Sequence, residues 1–301
     1  MKLRSILSFW LILSLLLPTV SHSQNNEKIV LGGSYFIKAE LLDRVAVYLK
    51  KELGKEVEVK TYKKTSDLQA DMEIHKVDIL IMNSYGYVYA HANYPEYNAF
   101  AALGKDGKLD AYKSCIITKA GSEIKTIDQL VEKAADVDLR FVHPTSTSGH
   151  IVPRYELRKH GISQAEMSFK SIELTGSHEK SIMEVINGEA RAAACGISSL
   201  EYLQDQNKIK PEQYQIIWKS HDIQGAPVVF NEELPSDFKN KLRDVFINMD
   251  KNSPELMEYI RNSFHSEKSN FIAVTDSNYD VIRGMASSME DFILFLNFYL
   301  Q

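Results

Sequence analysis

The sequence predicts an α/β protein made of two similar halves that face each other across a cleft. Apolar segments of strand length alternate with longer segments whose apolar residues recur at helical spacing, which is typical of a parallel sheet covered by helices. The order of helix, glycine stop, strand and small-polar loop occurs twice along the chain. A length of 301 residues exceeds the common single domain, which leaves room for two lobes.

The first half has the order βαβαβ. Residues 28–31 predict a strand that ends at two glycines, and an amphipathic helix follows and stops at Gly54. Residues 57–61 alternate as in a strand, and residues 77–82 predict a buried strand that leads into Asn83. The apolar face of the first helix consists of Leu41, Leu42, Val45, Leu49 and Leu53.

The second half repeats this order. Its predicted strands are residues 139–142, 169–174 and 191–195, and its predicted helices follow the loop 145–149 and span 179–187. We place crossovers at 112–114 and 220–222, so that lobe 1 comprises residues 24–112 plus 222–301 and lobe 2 comprises 113–221. Residues from Pro227 onward are predicted to be helical and to return to lobe 1.

The N-terminus has the features of a secretory signal. Lys2 and Arg4 precede an apolar run at 6–17, and small residues before Ser23 predict cleavage after it, which makes residues 1–23 a signal peptide. A retained anchor is the alternative, but the run is shorter than the roughly 20 residues that span a bilayer. We therefore expect an exported protein that is not anchored in the membrane.

Net charge and cysteine content limit the kinds of partner and the covalent links that this protein can have. The net charge is −5, and loss of Lys2 and Arg4 would make it more negative, which argues against nucleic acid or an anionic membrane as partner. The two cysteines, Cys115 and Cys195, could form a disulfide in an oxidising compartment or remain buried thiols. The sequence leaves this choice open.

The loop 145–149 carries the strongest functional pattern. Ser146, Thr147 and Ser148 lie between a predicted strand and a predicted helix, where unpaired backbone N–H groups favour anions. Gly149 would let a ligand approach the backbone. An ordinary helix cap is the alternative, but a cap needs only one hydroxyl.

Two further segments lie between a strand and a helix. His178 could donate to an oxyanion and change its charge near neutral pH, or it could be a surface histidine. Asn83, Ser84 and Tyr85 follow the last strand of the first half, where binding crevices form in open α/β sheets. For these three residues a ligand role and a structural role are equally favoured.

The usual catalytic patterns are missing from the sequence. It has no zinc-spaced Cys/His cluster, no phosphate-cradling glycine loop with a lysine and no nucleophile elbow. We therefore expect no enzyme activity, no metal and no cofactor.

Together these segments resemble the periplasmic phosphate/phosphite/phosphonate-binding proteins of ABC transporters. The resemblance implies the type II periplasmic binding protein fold, in which two α/β lobes joined by a hinge enclose an interlobe cleft. It also implies a periplasmic monomer, a small oxyanion as ligand and an ABC permease as partner. The matching stretches are residues 76–79, 146–149, 152–153, 177–179, 185–188, 217–220 and 226–229.

The resemblance carries over only in part. It implies that the hydroxyls at 146–148 and His178 hold the phosphonyl group. Aminoalkylphosphonate binders are expected to have acidic residues where this chain has Ser198 and Ala226, so Ser198 becomes a neutral candidate contact and 2-aminoethylphosphonate is disfavoured. A tyrosine of some members falls at Met82, which leaves the role of the following residues open.

The predicted function is capture of a small phosphorus oxyanion, namely a phosphonate, phosphite or phosphate, for ABC-type import. The alternative is an oxyanion sensor that signals through a histidine kinase, including an arsenite type that would use Cys115 or Cys195. The sequence does not distinguish among the phosphorus oxyanions.

Overall fold

The structure is a computed structural model that describes residues 28–287. The predicted signal peptide, residues 1–23, lies outside the described residues. Within 28–287 no helix combines the length and apolarity needed to cross a membrane.

Strands and helices are interspersed along the described residues. The strands are β1 (Lys28–Gly33), β2 (Glu56–Thr61), β3 (Ile79–Ile81), β4 (Tyr97–Lys105), β5 (Lys108–Leu109), β6 (Ala111–Tyr112), β7 (Ser114–Lys119), β8 (Asp138–Phe141), β9 (Ser171–Leu174), β10 (Ala192–Gly196), β11 (Tyr214–Lys219), β12 (Ile223–Gln224), β13 (Pro227–Asn231) and β14 (Asn270–Ala273). The helices are α1 (Ala39–Leu53), α2 (Thr65–Glu73), α3 (Ser84–Asn93), α4 (Ile127–Glu132), α5 (Val152–Lys159), α6 (Ala165–Ser168), α7 (His178–Asn187), α8 (Ile197–Asp205), α9 (Ser236–Ile247), α10 (Met249–Asn252), α11 (Pro254–Phe264) and α12 (Asp280–Ser287).

The first sheet has the order β14-β4-β13-β3-β1-β2, with β5 paired to β4. Strand β1 runs parallel to β2 and β3, as the βαβαβ prediction requires, while β13 pairs antiparallel with both β3 and β4. The prediction that the chain is helical from Pro227 onward was therefore wrong at its start. Val228, Val229 and Phe230 are all buried, and such a continuous apolar run is what a strand covered on both faces needs.

The second sheet has the order β11-β7-β10-β8-β9 and draws all its strands from residues 114–219. Strands β8, β9 and β10 are parallel, and β7 pairs antiparallel with β10 and β11. The carboxyl ends of the parallel strands β8, β9 and β10 therefore lie at one edge, where the loops that follow them converge.

Two short strands connect the sheets. Strand β6 pairs antiparallel with β12, with Tyr112 opposite Ile223 and Ala111 opposite Gln224. Both strands lie in chain segments that pass between the first and second sheets, which gives the two-lobed α/β architecture a double-stranded hinge.

Helix α1 shows how closely the local pattern determines an element. All five residues of its predicted apolar face are buried in the core of the first lobe. The helix ends where Gly54 adopts a φ of +69°, a left-handed conformation that glycine reaches without steric cost.

Candidate functional site

The loop between β8 and α5 is wound into a π-helical turn, Thr147–Ile151. Ser146 caps this turn, because its Oγ accepts a hydrogen bond from the Gly149 N–H at 3.1 Å. Pro153 lies in the first turn of α5, a position that proline commonly occupies. The three predicted hydroxyl residues, 146–148, are all buried.

Gly149 lets this turn pack directly against the end of β8. A Cβ built on Gly149 would lie 2.6 Å from the Val142 Cβ, closer than two carbon atoms can approach. The backbones are also joined, because the Val142 N–H donates to the Gly149 carbonyl at 3.0 Å. The absence of a side chain at Gly149 therefore sets the position of the hydroxyl-bearing turn.

Thr147 connects the turn to the first lobe. Its Oγ1 accepts from the Tyr85 N–H at 3.0 Å and donates to the Asn83 Oδ1 at 3.2 Å. Asn83 also caps α3, since its Oδ1 accepts from the Gly86 N–H at 2.7 Å. Residues predicted from separate halves of the sequence are thus in direct contact across the cleft.

Asn83 and Tyr85 retain unused donors. The Asn83 Nδ2 and the Tyr85 hydroxyl are buried and have no hydrogen-bond partner among the described residues. The Ser84 hydroxyl, in contrast, donates to the Gln224 carbonyl on hinge strand β12. Of the three candidates at the start of α3, Asn83 and Tyr85 therefore have a free donor for a ligand, whereas the Ser84 hydroxyl is already bonded to the hinge.

Two tyrosines at the turn were not predicted from the sequence. The Tyr35 hydroxyl lies beside Ser146, and the Tyr112 hydroxyl lies beside Ser148 and Thr147. Burial raises the pKa of both phenols, so both stay protonated and can donate. Tyr35 follows β1 at the same sheet edge as Asn83, and Tyr112 lies in a predicted crossover. These positions in the sequence could have indicated that both tyrosines lie near the site.

Tyr35 makes a second contact between the lobes. Its ring stacks on the His143 ring, with centroids 4.0 Å apart and planes 14° apart. His143 follows β8, so this stack joins the end of β1 to the end of β8. The contact fixes the tyrosine beside the turn.

The remaining predicted residues surround Gly196, at the end of β10. The His178 Nδ1 accepts from the Gly196 N–H at 3.1 Å. A Cβ on Gly196 would lie 3.2 Å from the Ser148 Oγ and 3.5 Å from the Ser198 Oγ. Ser148, Ser198 and His178 are therefore held around one strand end of the second lobe.

His178 is neutral at physiological pH. Burial lowers the pKa of its imidazole to about 4, so the predicted change of charge near neutrality is wrong. Because Nδ1 accepts a hydrogen bond, the proton of the neutral ring is on Nε2. His178 is thus an uncharged N–H donor across the range in which phosphonates and phosphate titrate.

The low pKa of His178 makes stability depend on pH. The folded state disfavours the protonated imidazole, so the free energy of unfolding should fall as the pH drops from about 6.5, the unfolded value, through about 4. His178→Asn keeps an acceptor for the Gly196 N–H but cannot titrate. Urea unfolding at pH 7 and pH 4.5 should show a smaller loss for this variant than for the wild type, and an equal loss would contradict the assignment.

The two cysteines are free thiols in the apolar core. They lie opposite each other on β7 and β10, with the Sγ atoms 3.5 Å apart, and pack with the apolar residues of α7 and α8. The hydrogen bond with Cys115 and burial raise the pKa of Cys195 well above its usual value, which makes the thiol unreactive. Ser114, on the opposite face of β7 from Cys115, donates to the Ser148 carbonyl at 2.6 Å, so the sulfurs face away from the turn.

No group of three or more His, Cys, Asp or Glu side chains among residues 28–287 is arranged to hold a metal ion. The donors gathered at the turn are hydroxyls, amides and one imidazole, all of them uncharged. Such a set suits a small anion held between two lobes. Fold and site together define a cleft-type binding protein.

The chain belongs to the family described as ABC transporter, phosphonate, periplasmic substrate-binding protein, whose model matches residues 39–279. It is 31% identical to the phosphonates-binding periplasmic protein of Escherichia coli K12 over 52% of this chain and 44% of that one. It is 26% identical to the phosphate-import protein PhnD of Mycolicibacterium smegmatis over 68% of this chain and 65% of that one. These two matches thus span less than two thirds of each relative.

Solved structures show the same fold. PhnD1 from Prochlorococcus marinus, in complex with methylphosphonate, superposes with a TM-score of 0.75 at 20% identity, over 88% of this chain and 99% of that one. A binding protein component of an ABC phosphonate transporter from Pseudomonas aeruginosa gives a TM-score of 0.74 at 22% identity, over 87% and 86%. These similarities confirm the predicted type II periplasmic binding protein fold.

Proposed function

We propose that this protein captures a small phosphorus oxyanion (phosphonate, phosphite or phosphate) in the periplasm and delivers it to an ABC permease. The observation that carries the proposal is the turn at 146–148, where neutral donors of both lobes meet in a buried cleft. The family of the chain and the names of its relatives support the same ligand class.

The proposed site contains the residues predicted from the sequence, except that the Ser84 hydroxyl donates to the hinge instead. Ser146, Thr147 and Ser148 bind the anion with the N–H groups of their turn, and the His178 Nε2–H adds a donor. Ser198 contributes from the second lobe and the Asn83 Nδ2 from the first. We add Tyr35 and Tyr112, whose hydroxyls lie against the same turn.

The proposed binding cycle is an opening and closing of the two lobes. Lobe 1 (24–112 plus 222–301) and lobe 2 (113–221) separate about the hinge β6–β12 and close when the anion bridges them. Ser84 couples the site to this hinge through its bond to Gln224. The hydroxyl of Thr147 contacts Asn83 and Tyr85 in the present structure. It loses these partners when the cleft opens and binds ligand oxygens when the lobes close on the anion.

The proposal includes export by the predicted signal peptide, a monomeric protein and no catalysis. The site offers donors for an anion, and we assign no nucleophile to it. The sensor alternative has little support, because the thiols that an arsenite type would use are buried on the far face of β7 and β10.

Calorimetry on the mature protein tests the ligand class. Phosphate, phosphite and methylphosphonate are titrated beside 2-aminoethylphosphonate and arsenite, and at least one of the first three should bind. 2-Aminoethylphosphonate should bind more weakly, because Ser198 and Ala226 give its ammonium group no carboxylate partner. Tight binding of this compound alone would contradict the proposal.

Ser148→Ala tests the site. Loss of one hydroxyl donor to a charged ligand should weaken oxyanion binding by about 1–3 kcal/mol without unfolding the protein. Ser263→Ala is the matched control, because Ser263 is exposed on α11 and donates only to its own helix at Tyr259. Equal affinities of both variants and the wild type would mean that the anion binds elsewhere.

A further inference from the structure

A further contact between the lobes lies on helix α8, outside the hydroxyl-bearing turn. The ring of Tyr202, in lobe 2, contacts two residues of lobe 1. The Tyr202 and His265 rings meet in a T-shaped arrangement, with the centroids 5.3 Å apart and the planes at 67°. The Lys38 Nζ lies over the same tyrosine ring, 5.5 Å from its centroid. Both arrangements are attractive, because the face of an aromatic ring is electron-rich and favours a ring edge or a cation.

Lobe 1 holds Lys38 and His265 in place without help from lobe 2. Lys38 directly precedes α1, and His265 directly follows α11, where its N–H donates to the Arg261 carbonyl. Phe36 and Phe264 lie close to these two residues in the sequence and pack edge to face, with the ring centroids 6.4 Å apart. Both phenylalanines also pack against the apolar core of lobe 1. The two segments that contact Tyr202 are therefore fixed relative to each other.

Tyr202 is equally well anchored in its own lobe. It is partly buried and packs against the apolar cluster that contains Leu200 and Leu203 of the same helix. Helix α8 starts directly after Gly196, and Ser198 in its first turn is one of the proposed ligand contacts. Tyr202 lies four residues after Ser198, so both side chains are on one face of the helix. Tyr202 therefore moves together with the second-lobe side of the proposed site.

The partner of Tyr202 on lobe 1 is linked to the site in the same way. The loop between β1 and α1 carries Tyr35, which lies beside Ser146, and three residues later Lys38. Closure of the lobes that brings Tyr35 to the turn thus also brings Lys38 to Tyr202. Lys38 and His265 are exposed and lie outside the turn, so this contact reports the position of the lobes and does not itself bind the anion.

We propose that Tyr202 is the closing contact of the two lobes, with its ring held between Lys38 and His265 in the closed state and released in the open state. The inference rests on the proposed function and adds a residue that controls affinity without touching the ligand. The contact stabilises only the closed state, so it slows the release of the anion more than it speeds its capture.

Tyr202→Ala is the first test. It should weaken the binding of phosphate, phosphite and methylphosphonate by a common factor of about ten, because an aromatic contact and a cation–π contact are lost from the closed state. The factor should be common to all three because Tyr202 contacts lobe 1 and not the ligand. Calorimetry measures the affinities, and phosphorus NMR exchange spectroscopy measures the dissociation rates, which should rise by the same factor.

Two conservative variants show which property of the contact matters. Tyr202→Phe keeps the ring and should bind all three oxyanions as the wild type does. Lys38→Met keeps the length of the side chain but removes the cation, and should lose about threefold in affinity. The Lys38 side chain makes no capping hydrogen bond to α1, so this substitution leaves the start of the helix intact.

Tyr214→Ala is the matched control for Tyr202→Ala. Tyr214 is also partly buried against the same apolar cluster, and its hydroxyl accepts a hydrogen bond from Gln204 of the same lobe. Both alanine variants should therefore have a lower midpoint of urea unfolding. Only Tyr202→Ala should lose affinity.

The outcomes separate this proposal from the proposed function. Wild-type affinity in Tyr202→Ala, an equal loss in Tyr214→Ala, or factors that differ among the three oxyanions would overturn the closing contact while oxyanion capture stands. If the wild type binds none of the three compounds, the proposed function is wrong, and small-angle scattering of the ligand-free protein then decides about Tyr202. In that case Tyr202→Ala should have a larger radius of gyration than Tyr202→Phe, and equal radii would exclude the contact.

Discussion

Gly149→Ala is expected to abolish oxyanion binding and to lower the free energy of unfolding by about 2–3 kcal/mol. The added Cβ would lie 2.6 Å from the Val142 Cβ and 2.9 Å from the Ser146 Oγ. Val142 is fully buried at the end of β8 and has no space to move into, so the turn must shift instead. Displacement of the turn misplaces all three hydroxyls at 146–148 at once.

Calorimetry and urea unfolding of the same preparations check this prediction. Gly284→Ala is the matched control, because a Cβ on Gly284 meets no atom within 4 Å in helix α12. That variant should bind normally and be as stable as the wild type or slightly more stable. Retention of wild-type affinity by Gly149→Ala would show that the position of the turn does not control binding.

Local patterns in the sequence predict many elements of this fold. The glycine after α7 resembles that after α1, because Gly188 adopts a φ of +84° where the predicted helix stops. Ser146 and Ser177 cap helical turns at predicted starts, and each accepts from the N–H three residues later. Such features depend on neighbouring residues, and sequence reasoning therefore finds them.

Other features depend on partners that are distant in sequence. Strand β13 forms only because β3 and β4, more than a hundred residues earlier, provide its edges. Tyr35 lies beside the turn but belongs to the opposite half of the chain, so no motif near Ser146 predicts its presence there. The neutral state of His178 likewise follows from burial, which a sequence does not display.

Behind the turn lies a chain of hydrogen bonds that involves no predicted ligand residue. The Arg154 Nε donates to the His150 Nε2 at 2.6 Å, and the His150 Nδ1 lies 2.8 Å from the Pro144 carbonyl. Because Nε2 accepts, Nδ1 carries the proton and donates to Pro144. Arg154 also binds both carboxylate oxygens of Glu166, which lies on α6. These hydrogen bonds connect α6 through Arg154 and His150 to Pro144, so α6 is linked to the residues before and after the turn.

The hydrogen-bonded residues His150, Arg154 and Glu166 keep the same protonation states around neutral pH. Burial and the guanidinium of Arg154 keep the pKa of His150 well below its usual value, so the imidazole stays neutral. Burial opposes ionisation of Glu166, but its hydrogen bonds with Arg154 outweigh this and hold the pKa of the carboxyl below its usual value. Arg154 packs over the Phe141 ring, with 4.6 Å between the guanidinium carbon and the ring centroid.

Arg154→Met should therefore lower the free energy of unfolding by about 2–3 kcal/mol, through loss of the hydrogen bonds to His150 and Glu166. It should also weaken oxyanion binding about tenfold, because His150 no longer holds the loop from Pro144 to the turn in place. Thermal unfolding and calorimetry measure the two effects separately. His150→Gln, which keeps an acceptor for Arg154 but cannot donate to Pro144 in the same way, should lose affinity with a smaller loss of stability.

Lys159→Met is the matched control for Arg154→Met. Lys159 lies on the same helix and pairs with Glu156 at 2.9 Å on the surface, where such a pair contributes about 0–1 kcal/mol. This variant should retain both stability and affinity. If Arg154→Met lost stability but bound oxyanion as tightly as the control, the buried chain would support the fold of the second lobe without positioning the turn. A purely structural role of these hydrogen bonds would not produce a loss of affinity in His150→Gln that is large relative to its smaller loss of stability.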